Sequence, residues 1–192
     1  MSRRAKAEPV GTCACGRRRL LRGFACVVPV LLLLPARAFP AVSGDRRLIL
    51  VNTHTGEMLD ALYVRDGLHD PAMLGRLDWL FRDHRTGGVL PIAQDLFDLL
   101  HELAAAAARE PRFEIISGYR SAATNAMLAS ATAGVSSKSL HMQGRAIDVR
   151  LTGYPTEKLR DLALARRKGG VGYYATSDFV HLDLGAVRSW SG

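Results

Sequence analysis

The sequence predicts an α+β domain in which a small antiparallel sheet is packed against helices. Two patterns carry this. In the first half, apolar residues such as Leu96, Leu99, Leu100 and Leu103 recur at three- and four-residue steps, the period of a helix with one buried face. In the second half, short alternating runs are joined by hairpin-length connections. Helices that precede a block of strands point to α+β rather than to an alternating α/β fold. A third observation is compositional: 48% hydrophobic and 23% charged residues over 192 positions is an ordinary globular balance. A chain of this length buries a core without covalent staples.

The first 38 residues differ from the rest. A basic start ends in Gly16-Arg17-Arg18-Arg19-Leu20-Leu21-Arg22, an apolar run continues from Gly23 to Leu34, and Pro35-Ala36-Arg37-Ala38 supplies a small-x-small cleavage pattern. That order is a signal peptide's. The apolar run is about 12 residues, short of the roughly 20 a membrane-crossing helix requires. The arginine pair followed by x-Leu-Leu-Arg resembles a twin-arginine export signal, with Gly16 where Ser or Thr is more usual. An Arg-rich general secretory signal is the alternative. Either way the expectation is an exported, periplasmic domain over residues 39–192, with no stable membrane anchor once the signal is removed.

Charge and cysteine respect the same division. The formal charge of +8 suggests a nucleic-acid binder. Yet residues 1–38 hold eight basic side chains (Arg3, Arg4, Lys6, Arg17, Arg18, Arg19, Arg22, Arg37) and only one acid, Glu8. Residues 39–192 have 18 basic and 17 acidic groups, a net +1, and no nucleic-acid partner is expected. Cys13, Cys15 and Cys26 all fall in the signal, so the domain is free of disulfides. Cys13-Ala14-Cys15 has no partner pair for a metal, and Cys26 lacks the preceding residues of a lipoprotein signal.

Along the domain, Leu48–Val51 and Ala61–Val64 flank the turn residues Thr55-Gly56-Glu57 and predict a hairpin. Asp70-Pro71 opens a helix as N-cap and first residue, with Leu74, Leu77, Trp79, Leu80 and Phe81 on its buried side. Gly87-Gly88 is a turn, Pro91 begins the second helix, and Ala104–Ala108 ends it. Phe113–Ile116 reads as a strand leading into the corner Ser117-Gly118-Tyr119-Arg120-Ser121, and a short helix runs from Ala122 to Ala129. After a polar loop over Gly134–Leu140 come a strand at Ala146–Leu151 and a capped helix at Thr156–Arg167. Two short strands, Val171–Tyr174 and Phe179–Leu184, are joined by a turn at Ala175–Asp178.

Three segments carry the residue types of a metallohydrolase: the Ser117–Arg120 corner, Ser139–Asp148, and Asp178–Asp183. His141, Asp148 and His181 offer two imidazoles and a carboxylate, and a catalytic zinc commonly takes three such ligands with a fourth position open. Strand periodicity places His181 and Asp183 on one face. Taken singly, a histidine on a strand is more often a hydrogen-bonded group than a ligand; the ordered set is what carries weight.

Ser139-x-His141-x-x-Gly144-x-Ala146-x-Asp148, with Asp178-x-x-His181 downstream and Ser117-Gly118-Tyr119-Arg120-Ser121 upstream, resembles the D-alanyl-D-alanine peptidase/hedgehog superfamily of zinc peptidases. Asn52–Glu57, Asp83–Gly87, Gly169-Gly170-Val171-Gly172-Tyr173-Tyr174 and Val187-Arg188-x-Trp190 are similar to its exported bacterial branch, long labelled a domain of unknown function, which includes the MepK-type murein endopeptidases. The resemblance covers residues 46–190. It implies Zn2+ held by His141, Asp148 and His181, with Arg120 binding a substrate carbonyl or carboxylate. It implies hydrogen bonds from Ser139 and Gln143 to the ligands. It also implies a general base at Asp178, where relatives carry Glu, with Asp183 as the rival. The expected function is a monomeric zinc peptidase, endopeptidase or carboxypeptidase, cutting peptidoglycan peptides. The alternative is a non-catalytic, zinc-stabilised wall-binding module, since fold alone does not fix function.

Overall fold

The computed structural model describes residues 44–131 and 136–192. The expected export signal and its cysteines lie outside the described residues, as do positions 132–135 of the polar loop. In chain order the elements are β1 (Arg46–Asn52), β2 (Met58–Arg65), β3 (Leu68–His69), α1 (Pro71–Leu80), α2 (Gln94–Ala106), β4 (Arg112–Ser117) and α3 (Ala122–Ala131). A 3-10 turn at Leu140–Gln143 leads into β5 (Ala146–Leu151); then come α4 (Thr156–Arg166), β6 (Gly170–Tyr174), β7 (Phe179–Asp183) and β8 (Arg188–Ser191).

All the strands join one sheet in the order β3-β2-β1-β4-β5-β7-β6-β8. The α+β class holds, but the sheet is neither small nor purely antiparallel. β1 runs parallel to β4, and β6 runs parallel to β8. The first parallel pair has a plain cause: α1 and α2 lie between β2 and β4 and supply the long crossover that parallel neighbours require. β8 escapes a pattern search because its four residues are mostly exposed and carry no apolar alternation.

Several helix ends differ from expectation. Asp70 does cap α1, accepting from the backbone N–H of Ala72 and Met73. Trp79, expected on the buried side, is 53% exposed, while Leu77, Leu80 and Phe81 fill the core. α2 begins three residues after Pro91, because the segment before it is held against the turn leading into β5: the Ala93 N–H donates to the Gly144 carbonyl at 2.9 Å. Gly144 sits at φ +66°, and a side chain there would collide with the Pro91 carbonyl. The cap expected for α4 is not made by a side chain at its start: Pro155 precedes the helix, and the Thr156 hydroxyl donates to Asp178.

Strand alternation then separates two faces. Ile147, Val149, Leu151, Val180 and Leu182 join the core with Leu96, Leu100, Leu103 and Leu159 from α2 and α4. Asp148, His181 and Asp183 are left on the opposite face at the centre of the sheet. No helix among the described residues is long and apolar enough to cross a membrane.

The loop after α1 braces the corner that carries Arg120. The Tyr119 N–H donates to the Phe81 carbonyl at 2.8 Å. The Asp83 carboxylate, 2% exposed, accepts from the backbone N–H of Arg85 at 3.0 Å and of Ser121 at 2.9 Å. Burial opposes ionisation of Asp83, but hydrogen bonds from Ser121 and Arg85 help outweigh it and hold the carboxyl below the usual range. Its contribution to stability is therefore present above the unfolded pKa, about 3.9, and is lost as pH falls below that value. Asp83→Ala is expected to cost about 2–3 kcal/mol in denaturant unfolding at neutral pH, with a smaller difference from the parent below about pH 3.

Candidate metal centre

Register builds the site. Asp148 on β5 pairs directly with His181 on the antiparallel β7, so the two side chains stand side by side on one face. His141 arrives from the 3-10 turn, which Gly144 ends so that the chain can enter β5. The three donor atoms form a small triangle. His181 Nδ1 lies 2.8 Å from Asp148 Oδ1, His141 Nε2 lies 3.2 Å from His181 Nδ1, and His141 Nε2 lies 3.3 Å from Asp148 Oδ1. A tetrahedral ion with bonds of ~2.0–2.1 Å sets its ligands about 3.3 Å apart, so the triangle is near the size required.

Proton placement tests the fit further. His141 Nδ1 lies 2.7 Å from the Gly118 carbonyl, which can only accept. Nδ1 therefore carries the proton, and Nε2 presents a lone pair to the triangle. His181 Nε2 lies 3.1 Å from Asp183 Oδ2, again an acceptor, so Nδ1 is its inward atom. Two imidazole nitrogens and a carboxylate oxygen thus converge, each outer ring nitrogen tied to an oxygen, as metal-binding histidines usually are. A cation is required between them, either a proton or a metal ion.

The electrostatics agree. Burial lowers the His141 pKa, outweighing the attraction of Asp148, and keeps this ring neutral. Burial also acts against a charged His181, but hydrogen bonds to Asp148 and Asp183 overcome it and raise the ring to about 9. Burial opposes the charge on Asp148, yet His141 and His181 hold it well below the usual carboxylate range. Among the described residues, these three are the group of His, Cys, Asp and Glu side chains with converging donor atoms.

The other expected site residues fall into three situations. Arg120 reaches the centre, with Nη2 paired to Asp148 Oδ2 and Nε donating to Ser117 Oγ at 2.8 Å. It therefore fixes the Asp148 carboxylate as well as lining the cleft. Ser139 lines the cleft, but its side chain makes no capping hydrogen bond; Gln143 is exposed and does not line the cleft, so the expected bonds from these two are not made.

Both candidate bases are engaged by other partners. Asp178 lies outside the cleft, 65% exposed, with Oδ1 accepting from Thr156 at 2.6 Å and Oδ2 3.6 Å from Arg150 Nε. Its partners at the start of α4 and on β5 hold the carboxylate there. Asp183 is fully buried and saturated. It accepts from His181, from the N–H of Gly170 and Gly185, and from both terminal nitrogens of Arg188. Burial opposes its charge, but these donors keep it below the usual carboxylate range. A general base works best with a pKa near the working pH. Asp183 instead orients His181.

The cleft over the triangle measures about 770 Å³. Its lining includes Lys138 and Arg120 together with Tyr174, Phe179 and Trp190. The Tyr174 and Phe179 rings stack at 4.6 Å, and the Trp190 indole donates to the Tyr174 hydroxyl at 3.0 Å. Sequence reading passes over Arg188, Tyr174 and Trp190 as site residues; only the Gly-Tyr-Tyr and Arg-x-Trp patterns mark them. His54 and His84 stack on each other at 3.9 Å, with His54 Nε2 2.9 Å from the Ile116 carbonyl, and neither belongs to the donor group.

A family model described as "Peptidoglycan L,D-endopeptidase MepK" matches residues 41–190. The chain is 41% identical over 163 residues to a probable peptidoglycan L,D-endopeptidase MepK of Haemophilus influenzae, covering 83% of this chain and 88% of that protein. It is 38% identical over 175 residues to the peptidoglycan L,D-endopeptidase MepK of Escherichia coli K12, covering 90% and 96%. The Shigella flexneri protein of the same name matches equally. No solved structure matches the chain significantly.

The placement of Asp178 yields a direct expectation. Asp178→Ala should lower stability by about 1 kcal/mol through loss of the Thr156 and Arg150 contacts, and leave zinc affinity within about two-fold of the parent. Thermal unfolding and competition against a chromogenic chelator measure the two.

Proposed function

Since the chain belongs to the peptidoglycan L,D-endopeptidase MepK family, we propose that it is an exported, zinc-dependent peptidase that hydrolyses amide bonds in the peptide cross-links of peptidoglycan. The observation that carries the metal assignment is the triangle of converging donors from His141, Asp148 and His181, which is near the size a tetrahedral ion needs and could hold one. Two imidazoles and a carboxylate suit zinc well. The names of the relatives support L,D-cross-links as the bond that is cut. The basic and apolar order of residues 1–38 supports delivery to the periplasm by the twin-arginine route.

A zinc ion bound at this triangle would supply an activated water and a Lewis acid for the amide carbonyl at neutral pH. The protein's own side chains prepare that chemistry. Gly118 and Asp183 hold the two imidazoles with their lone pairs inward. Arg120 fixes Asp148 through Nη2; its Nη1, without a hydrogen-bond partner among the described residues, offers a donor toward the cleft. A guanidinium there can hold a peptide carbonyl and offset charge that develops on its oxygen. The aromatic wall and Lys138 flank the bound peptide.

The non-catalytic wall-binding alternative draws on one observation: Asp148 and Asp183, the carboxylates of the cleft lining, are both fully engaged. Digestion separates the two readings. Zinc-loaded protein is expected to release uncross-linked muropeptides from sacculi, resolved by liquid chromatography. A chelator should stop the reaction, and added zinc should restore it. His181→Ala should lower the rate at least ~100-fold. Protein that sediments with sacculi, holds zinc and leaves every cross-link intact would decide for the binding module.

A further inference from the structure

Two rows of residues cross the sheet on the face that holds the donors. Strand register makes one of them Asp148, His181, Gly172 and Trp190. The other is Ala146, Asp183, Gly170 and Arg188. Both end on β8, a four-residue edge strand with three exposed residues and no place in the hydrophobic core. Its two long side chains nevertheless reach back over β6 to the metal centre.

Arg188 reaches Asp183. Its Nη2 donates to Oδ2 at 2.6 Å and its Nη1 to Oδ1 at 3.1 Å, a two-pronged grip that fixes the plane of the carboxylate. Asp183 Oδ2 in turn accepts the His181 Nε2 proton. Trp190 packs on the other member of this chain, its ring centroid 5.2 Å from that of His181. The glycines of β6 make the path. A Cβ on Gly170 would stand 2.6 Å from Arg188 Nη1, and one on Gly172 would stand 2.6 Å from Trp190 Cε2. The Gly-x-Gly spacing of this strand is thus the imprint of two side chains crossing it.

We infer that Arg188 is a positioning residue for the metal ligand His181, acting through Asp183, and that β8 exists to deliver it. The inference rests on the reading of His181 as a zinc ligand. His181 must keep its proton on Nε2 so that Nδ1 points into the triangle, and a carboxylate at Nε2 sets that choice. A buried carboxylate holds its own orientation only when its oxygens are fully bound, and removing one partner leaves an uncompensated charge. Arg188 supplies two of the five donors to Asp183 and the cation opposite it.

The test is a double-mutant cycle read by zinc affinity, using the full-length protein and competition with a chromogenic chelator. Arg188→Ala and Asp183→Asn are each expected to weaken zinc binding about 10–100-fold. The double variant should bind no more weakly than Asp183→Asn alone, since the arginine acts only through the aspartate. Arg188→Lys keeps the charge beside Asp183 but loses the fork, and should also weaken binding. Melting temperatures of the zinc-free proteins confirm that each variant is folded at the assay temperature. Affinity unchanged in Arg188→Lys, or additive losses in the double variant, would overturn the inference while leaving the metal site intact. A parent protein that does not bind zinc would remove the metal assignment itself and the inference with it.

Discussion

The pairing of Asp148 with His181 across β5 and β7 is the contact on which the site depends. An antiparallel ladder sets directly opposed side chains about 5 Å apart, within reach of a single shared ion. The rest of the fold secures that register. A slip of one residue would turn Asp148 and His181 into the helix layer and bring Ile147 and Val180 out. The apolar alternation of the two strands against α2 and α4 forbids this, because Ile147, Val149, Val180 and Leu182 are all fully buried. The core therefore does more than stabilise; it fixes which face carries the chemistry.

Three buried carboxylates show a common logic at different positions. Asp83, Asp148 and Asp183 are each almost without exposure, and each is surrounded by donors rather than by water. A buried charge is tolerable only when so satisfied, and satisfaction makes it rigid. Asp83 uses its donors to tie the loop after α1 to the corner at Ser121. Asp148 is held by Arg120 on one oxygen and offers the other to the triangle. Asp183 is fixed by backbone and Arg188, and it aims His181. Arg120 thereby links the first two, because the corner that presents it is braced through Asp83.

Much of this is legible in the sequence, and the losses have physical causes. The helix opened by Asp70-Pro71 and the alternation of β5 express local rules, so they can be read directly, while His141, Asp148 and His181 are marked by their residue types and by the family resemblance. The parallel pairs cannot, because pairing across a crossover is a long-range property with no local mark. Trp79 follows Leu77 by two residues, about 200° round a helix, so the helical period itself turns it away from the core that Leu77 and Leu80 fill. Thr156 stands at the start of α4, yet its hydroxyl meets Asp178 from a turn 22 residues away.

The assignment of a base shows the limit most clearly, because it rests on a resemblance for Asp178 and on strand periodicity for Asp183. Asp178 stands three residues before His181, where a longer acid would be expected, and Asp183 stands two after it on the same strand face. Spacing identifies which residues are near a ligand along the chain, but not which donors claim them. Asp178 sits at φ +50° in the turn before β7, and its carboxylate is turned toward Thr156 and Arg150. Asp183 shares a face with His181, as periodicity requires, and for that reason meets the ring nitrogen that is not free for a metal. A carboxylate hydrogen-bonded to the outer nitrogen of a ligand fixes the ligand's tautomer, and one that also accepts four further donors has no lone pair to spare for a proton. The same strand geometry that makes Asp183 look like a base makes it the group that fixes which nitrogen of His181 faces the donor triangle.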